Sequence, residues 1–394
     1  MMRSRAALRP LRRALDAPQR RIGTLILLRH GQSIWNGTTA TFTGWCDVAL
    51  TPRGRSQAIE AGELLGERGY GSKITDVFTS ELERAYETAA LAMTAIEQNG
   101  GHGNPRTTRD PRLNERHYGC VQGVCKGDAM LLSYFGEAQV KSWRRSMRGK
   151  PPPLDESHPH WRPPPAPATE SLADCQARVL ECYEDCVKPA LFAGPDRTVL
   201  LVAHSNTLRG LMASIDGVPD ADVPSLHVPN SVPILYRFDE TSRELVSRKY
   251  APLDAGSAAG SHARWLLSSR NLIRLRSALA PGGVLTRALF DALDENGDRM
   301  LTADEIKLGV RKLLGDDVAV AAIVKRIVRH LNMKDDAVCT LADFEASAAH
   351  IAHEILHEAK VPARPPPPED VDLPWGKVQP IHQRDGGDDR SAYG

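Results

Sequence analysis

Three things are scarce in this sequence. The first is net charge: 50 basic side chains face 49 acidic ones, leaving +1. Without a global field, bulk electrostatics does not draw the chain to nucleic acid or to an anionic membrane. The second is long apolar runs. The densest are Leu25–Leu28 and Val199–Ala203, far short of the ~18 residues that span a bilayer. The third is cysteine. Seven are present, an odd number with no CxxC pair, which argues against a disulfide framework or a thiolate zinc site. Cys175, Cys182 and Cys186 recur at helical spacing and read as small core residues.

What is present suffices for a folded protein. Hydrophobic residues make up 41% of 394 positions, and a soft prior of about 150 residues per domain gives two or three domains. The expectation is a soluble, intracellular, multidomain chain. Residues 1–22 carry Arg3, Arg5, Arg9, Arg12, Arg13, Arg20 and Arg21 against one acid, Asp16. This segment reads either as a solvated basic tail or as a transit peptide. The compartment is then the cytoplasm or an organelle, mitochondrion or plastid.

From Thr24 the pattern is α/β. Leu25–Leu28, Ile74–Phe78, Val199–Ala203 and Ile234–Phe238 are short apolar runs suited to strands buried on both faces. Helical stretches such as Pro52–Arg68 and Leu82–Ile96 lie between them. The predicted fold class is a mainly parallel sheet flanked by helices, with a small all-α domain behind it. Proline marks the insertions: eight fall in Pro151–Pro167, read as a surface loop, and seven in Pro362–Pro380, read as a disordered tail. Gly256–Gly260 reads as a seam, and Trp265–Leu279 as an amphipathic helical stretch. The expected division is a basic segment at 1–22, the α/β domain at 23–260 and a linker helix at 261–283. A helical pair at 284–359 and a disordered tail at 360–394 follow.

Two histidines directly follow predicted buried strands, His30 in LILLRHGQS and His204 in VLLVAHSNT. Ligands of open parallel sheets bind outside the carboxyl ends of strands, near helix N-termini. With Arg29 and Arg209 close by in sequence, and Thr79–Ser80 after a third strand one turn before Arg84, an anion site is implied.

The ordered motifs resemble the cofactor-dependent phosphoglycerate mutases of the histidine phosphatase superfamily, from about Thr24 to Asp254. RHGQSIWN (Arg29–Asn36) opens the series, followed by FTGWCDVALTPRGRSQA (Phe42–Ala58), TSELERAYETA (Thr79–Ala89) and LNERHYGCVQG (Leu113–Gly123). WRRSM (Trp143–Met147), PPPLD (Pro151–Asp155), TESL (Thr169–Leu172) and AHSNTLRGLM (Ala203–Met212) complete it. The resemblance implies interconversion of 3-phosphoglycerate and 2-phosphoglycerate through a phosphohistidine at His30, primed by 2,3-bisphosphoglycerate. A histidine-type phosphatase and a non-catalytic calcium sensor are the alternative readings.

Neutral imidazole can hold a phosphoryl group near pH 7 when its other nitrogen is fixed by a hydrogen bond. The resemblance places Arg29, Arg84 and His204 as donors to the transferring group, and Glu115 as the acid/base. Ser33, Asn36, Thr43 and Gly44 match substrate positions in the loop after the nucleophile. Arg116, Tyr118, Lys126, Arg144 and Arg145 match those that grip the carboxylate and distal phosphate, and Ser205 and Asn206 follow the second histidine. Ser33 favours isomerisation over bisphosphoglycerate synthesis. Family precedent implies a homo-oligomer. Three features depart from the pattern: Ser205 replaces a glycine, the Asn36–Phe42 loop is one residue longer, and the insertion around Ser157–Ala168 is shortened and proline-rich.

Two motifs remain. His353-Glu354-Ile355-Leu356-His357 fits HExxH, but it lies at the end of a helical module with no protease domain around it, and zinc chemistry is set aside. Asp294–Glu305 (DENGDRMLTADE) resembles an EF-hand calcium loop. Asp294, Asn296, Asp298, the Met300 carbonyl and Glu305 are the expected calcium ligands. Asn332–Asp343 reads as a degenerate partner with Lys334 at a ligand position.

Overall fold

The computed structural model describes residues 21–37, 40–101, 103–246, 262–275, 284–294, 300–314, 320–331, 333 and 338–358. The basic segment before Arg21, the Gly256–Gly260 seam, Asn296, Asp298, Lys334 and the proline-rich tail lie outside these residues. Among the described residues no helix is long and apolar enough to cross a membrane.

The apolar runs form the expected strands. β1 (Ile22–Arg29), β2 (Ile74–Thr79), β3 (Arg106–Arg109), β4 (Thr198–Ala203), β5 (Ile234–Asp239) and β6 (Arg264–Trp265) make one sheet of order β3-β2-β4-β1-β5-β6. The first four run parallel, and β5 and β6 run antiparallel to their neighbours. Successive strand residues face opposite sides, and the core divides accordingly. Leu25, Leu27, Val199 and Leu201 pack with Cys175, Val179, Leu208 and Leu211 from α5 (Leu172–Cys182) and α7 (Ser205–Asp216). Ile26, Leu28, Leu200 and Val202 pack on the other face against α1 (Pro52–Glu67) and α2 (Glu83–Gln98).

Register positions the site. Arg29 pairs with Ala203, and Thr79 pairs with Val202. His30, His204 and Ser80 therefore leave three adjacent strands at one level. Short helices α3 (Ala129–Phe135) and α4 (Glu137–Arg145) lie in the segment between β3 and α5. A π-helical turn (Tyr183–Val187) joins α5 to α6 (Lys188–Leu191).

The expected linker helix at 261–283 is corrected. Arg264 and Trp265 belong to β6, paired with Leu235 and Ile234, and helix α8 is described over Ser269–Leu275, with residues 276–283 outside the described ones. Tertiary pairing with β5 overrides the helical periodicity here. Beyond it come α9 (Val284–Leu293), α10 (Ala303–Leu314), α11 (Val320–His330) and α12 (Leu341–Glu358). A two-residue ribbon, β7 (Met300–Leu301) with β8 (Cys339–Thr340), ties them together, and Phe290 meets Phe344 edge-on at 5.3 Å. This helical part is not separate. Trp265, Leu267 and Leu272 join Leu289, Phe290, Ile351 and Ile355 in the same hydrophobic cluster as Leu25 and Tyr236. Arg270 pairs with Glu63 of α1 at 2.8 Å.

Candidate active site

At the carboxyl ends of β1 and β4 lies a cavity of about 160 Å³. Arg29, His30, Ser33, Asn36, Thr43, Gly44, Arg84, Glu115, Tyr118, Lys126, Arg144, Arg145, Ser205 and Asn206 line it, joined by Arg209. The sequence thus places nearly all of its candidates on one surface. His204 sits just behind, fully buried, its ring centroid 5.0 Å from that of His30.

The loop carrying His30 needs two glycines. A Cβ on Gly31 would lie 2.2 Å from the Gly54 carbonyl oxygen, so α1 closes directly on the turn. Gly44 has φ +50 and would strike Gln122 Oε1 at 1.9 Å. Gln122 instead accepts from Trp45 N–H at 2.8 Å, fixing the wall that bears Thr43 and Gly44.

His30 Nδ1 lies 2.7 Å from the Gly31 carbonyl oxygen. A carbonyl only accepts, so Nδ1 carries the hydrogen and the Nε2 lone pair is available. Burial, then Arg84 and Arg29, hold the His30 pKa well below its ordinary value, so the ring is neutral at pH 7. Arg84 donates to the carbonyls of Cys46 and Gly44, both at 2.8 Å, and Arg29 donates to that of Val228 at 2.8 Å. Burial pushes both guanidiniums down to about 10, against the pull of Glu115. Lys126 falls to about 8, through burial first and then its neighbour Arg144.

Arg29, Arg84, Lys126, Arg144, Arg145 and Arg209 surround one carboxylate, Glu115. Arg29 Nε, Ser33 Oγ and His204 Nδ1 are buried and have no partner among the described residues. Buried polar atoms are paired in the great majority of cases, so a cluster of unpaired donors beside excess positive charge fits a ligand with several negative charges. Glu115 Oε1 accepts from the backbone N–H of Arg116 at 2.8 Å and of Asn206 at 3.2 Å. Its carboxylate is thereby pinned to the N-terminus of α7.

Arg116 is a correction. Its guanidinium is turned away from the cavity and donates to the carbonyls of Glu170, Trp143 and Gly149 at 3.0, 2.6 and 2.6 Å. These bonds brace the wall, and Arg116 is not among the residues that line the cavity. Ser205 opens α7 and contributes its hydroxyl 3.4 Å from Arg209 Nη2.

Arg178 and Gln122 support the site without having been named from the sequence, whereas Arg209 and Ser80 were placed near the implied anion site there but given no role. Arg209 donates to Asn206 Oδ1 at 2.6 Å from the next turn of α7, a spacing that helical periodicity could have revealed. Arg178 forms a fork with Glu170 and donates to the Glu115 carbonyl at 2.9 Å. Nothing local in the sequence marks that long-range contact.

The other candidates sort out simply. Cys182 and Cys186 approach Asp110 to within 4.8 Å, but Arg112 donates to both the Asp110 carboxylate and Cys186 Sγ and fills the position a cation would take. Glu354 of the HExxH pattern is held by Arg326 and His330.

A twin-histidine pocket of this kind, built on an α/β sheet and walled by cations, is a candidate site for an anionic group. The histidine phosphatase superfamily (branch 1) model matches residues 25–250, and the chain belongs to that family. A 2,3-bisphosphoglycerate-dependent phosphoglycerate mutase of Nocardioides sp. is 41% identical over 248 residues, 60% of this chain and 96% of the relative. The same-named enzyme of Novosphingobium aromaticivorans is 42% identical over 222 residues, covering 55% and 92% respectively. Among solved structures, a mycobacterial glucosyl-3-phosphoglycerate phosphatase is 28% identical, with a TM-score of 0.42 over 57% of this chain and 96% of that one.

Proposed function

We propose that the chain interconverts 3-phosphoglycerate and 2-phosphoglycerate through a phosphohistidine at His30. The observation that carries this reading is the meeting of two sets of groups in one cavity. Arg29, Arg84 and Glu115 surround the nucleophile, and Lys126, Arg144 and Arg145 reach in from the segment between β3 and α5. The first set handles a phosphoryl group. The second gives a substrate's carboxylate and a further phosphate somewhere to rest, which simple phosphate-ester hydrolysis does not require.

The residues act as follows. His30 Nε2 forms the bond to phosphorus as the substrate P–O bond breaks, while the Gly31 carbonyl keeps Nδ1–H in place. Arg29 and Arg84 hold the equatorial oxygens, where charge accumulates. Glu115 gives a proton to the departing hydroxyl oxygen and takes one from the hydroxyl that later attacks. When bound, 2,3-bisphosphoglycerate supplies the phosphoryl group that first loads His30, and the cationic wall fits its charge.

Turnover of 3-phosphoglycerate, with and without 2,3-bisphosphoglycerate, tests the reading. Isomerisation that requires the bisphosphate is expected, and His30→Ala is expected to abolish both it and acid-labile phosphate labelling. Hydrolysis that outruns isomerisation would favour the phosphatase alternative. Residual mutase activity within about tenfold of wild type in His30→Ala would end the covalent mechanism.

A second reading concerns the helical part. The β7–β8 ribbon joins the ends of the two candidate loops, Leu301 opposite Cys339, and Glu305 Oε2 accepts from Thr302 N–H and Oγ–H at 3.0 and 2.8 Å. This pairing supports a helix–loop–helix pair in which Asp294, Asn296, Asp298, the Met300 carbonyl and Glu305 would hold calcium. The ion would supply charge to order the loop.

A further inference from the structure

Ser80 follows β2 and is fully buried, as is His204. The β2–β4 register sets them side by side, and Ser80 Oγ lies 2.7 Å from His204 Nε2. The same oxygen accepts from the Leu82 backbone N–H at 3.2 Å, and the Ser80 carbonyl accepts from Thr79 Oγ–H at 2.7 Å. The serine is therefore held from both sides before the histidine is considered.

A hydroxyl has one hydrogen to donate and two lone pairs to accept with. Leu82 N–H is a fixed donor and takes one lone pair. If His204 carried its hydrogen on Nε2, two donors would point at Oγ and the hydroxyl's own hydrogen would be left without an acceptor in a buried place. If Oγ–H donates to the Nε2 lone pair instead, every group at the serine is satisfied, and the imidazole hydrogen sits on Nδ1. That nitrogen is the buried atom of His204 without a partner among the described residues, in a ring 5.0 Å from His30.

From this geometry we infer that Ser80 is a positioning residue that fixes His204 in the Nδ1–H tautomer and aims that hydrogen at the phosphoryl group moving to or from His30. The inference rests on the phosphoryl-transfer reading for its purpose but not for its geometry. His204 keeps its proton throughout. As the N–P bond forms at His30 and the substrate P–O bond breaks, Nδ1–H donates to a non-bridging oxygen while Glu115 handles the proton of the hydroxyl. A histidine whose tautomer is set by the partner of its other nitrogen is a recurring device.

Two measurements test it on the full chain. The first is nitrogen NMR of the wild-type protein with labelled histidine, assigned with His204→Gln. His204 is expected to show Nε2 unprotonated and Nδ1 protonated at pH 7, and a protonated Nε2 would overturn the assignment. This readout does not depend on activity, so it stands even if the mutase reading fails. The second is kinetic. Ser80→Ala is expected to lower kcat by about ten- to a hundredfold with KM within about threefold, because the lost contact acts in the transition state. It is also expected to mix the two tautomers, and Ser80→Thr, which keeps the hydroxyl, is expected to restore both. A kcat within about twofold of wild type in Ser80→Ala would refute the role. So would a loss that Ser80→Thr does not rescue while its His204 tautomer remains intact.

Discussion

Replacing Arg116 by alanine separates bracing from substrate binding, the two roles its chain position offers. The side chain is 1% exposed and donates three hydrogen bonds to the Glu170, Trp143 and Gly149 carbonyls. Its guanidinium carbon also lies 5.0 Å from the Tyr118 ring centroid. Truncation strands three carbonyls, at about 1–3 kcal/mol for each polar group left unsatisfied in the interior. The Gly149 end is partly solvated, so water relieves part of the loss, and the expected cost is about 3–5 kcal/mol. For a domain of this size, each kcal/mol lowers Tm by roughly 2–4 °C, which predicts a fall of about 6–20 °C in a thermal melt. Below the melting range, KM for 3-phosphoglycerate is expected to change little, because no Arg116 atom reaches the cavity. Arg144→Ala is the contrast: exposed and cavity-lining, it is expected to raise KM and leave Tm within about 2 °C. A melt of Arg116→Ala within about 2 °C of wild type, with a KM raised tenfold, would invert these assignments.

Lys126 should give the enzyme an alkaline limit. With its pKa lowered to about 8, the ammonium is charged below that pH and neutral above it, so KM is expected to climb from about pH 8, approaching tenfold per unit. Lys126→Arg keeps the charge, and its profile should stay flat to about pH 9; an unchanged limb in that variant would assign the titration elsewhere. Calorimetry on the full chain is expected to find one calcium per chain with Kd on the order of 10⁻⁶–10⁻⁴ M. The weak end reflects Arg299 at the loop position that favours glycine, a cost of roughly 1–2 kcal/mol. Glu305→Gln should weaken that site strongly, and two equal sites, or no heat at millimolar calcium, would refute the loop assignment.

The sheet's buried strands were legible because their apolar runs have no other use, and the histidines because they end those runs. β3 was not. Arg106–Arg109 reads RTTR, an exposed edge strand with no apolar alternation, and only its pairing with β2 makes it one. Arg116 was misassigned because it adjoins Glu115. Neighbouring residues of an extended stretch point to opposite sides, so a carboxylate facing the cavity sends the next side chain into the wall. Ser80 and Arg178 contact partners 124 and 63 residues away, a distance that local spacing does not encode.

The sixth strand has a consequence for how the chain can be divided. The outer edge of β5 is met by Arg264 and Trp265 at one end and by Leu245 at the other. An uncovered strand edge is a template for another molecule's strand. A chain cut before Ala263 would bare the Ile234–Leu235 end of that edge and strip Ala263, Trp265 and Leu267 from the cluster that reaches Leu25. The segment after Ala263 is therefore less a passenger than a keystone: its first residues extend the sheet from which Arg29 and His30 emerge, and a protease or an engineer that removes it takes away part of the foundation of the candidate site.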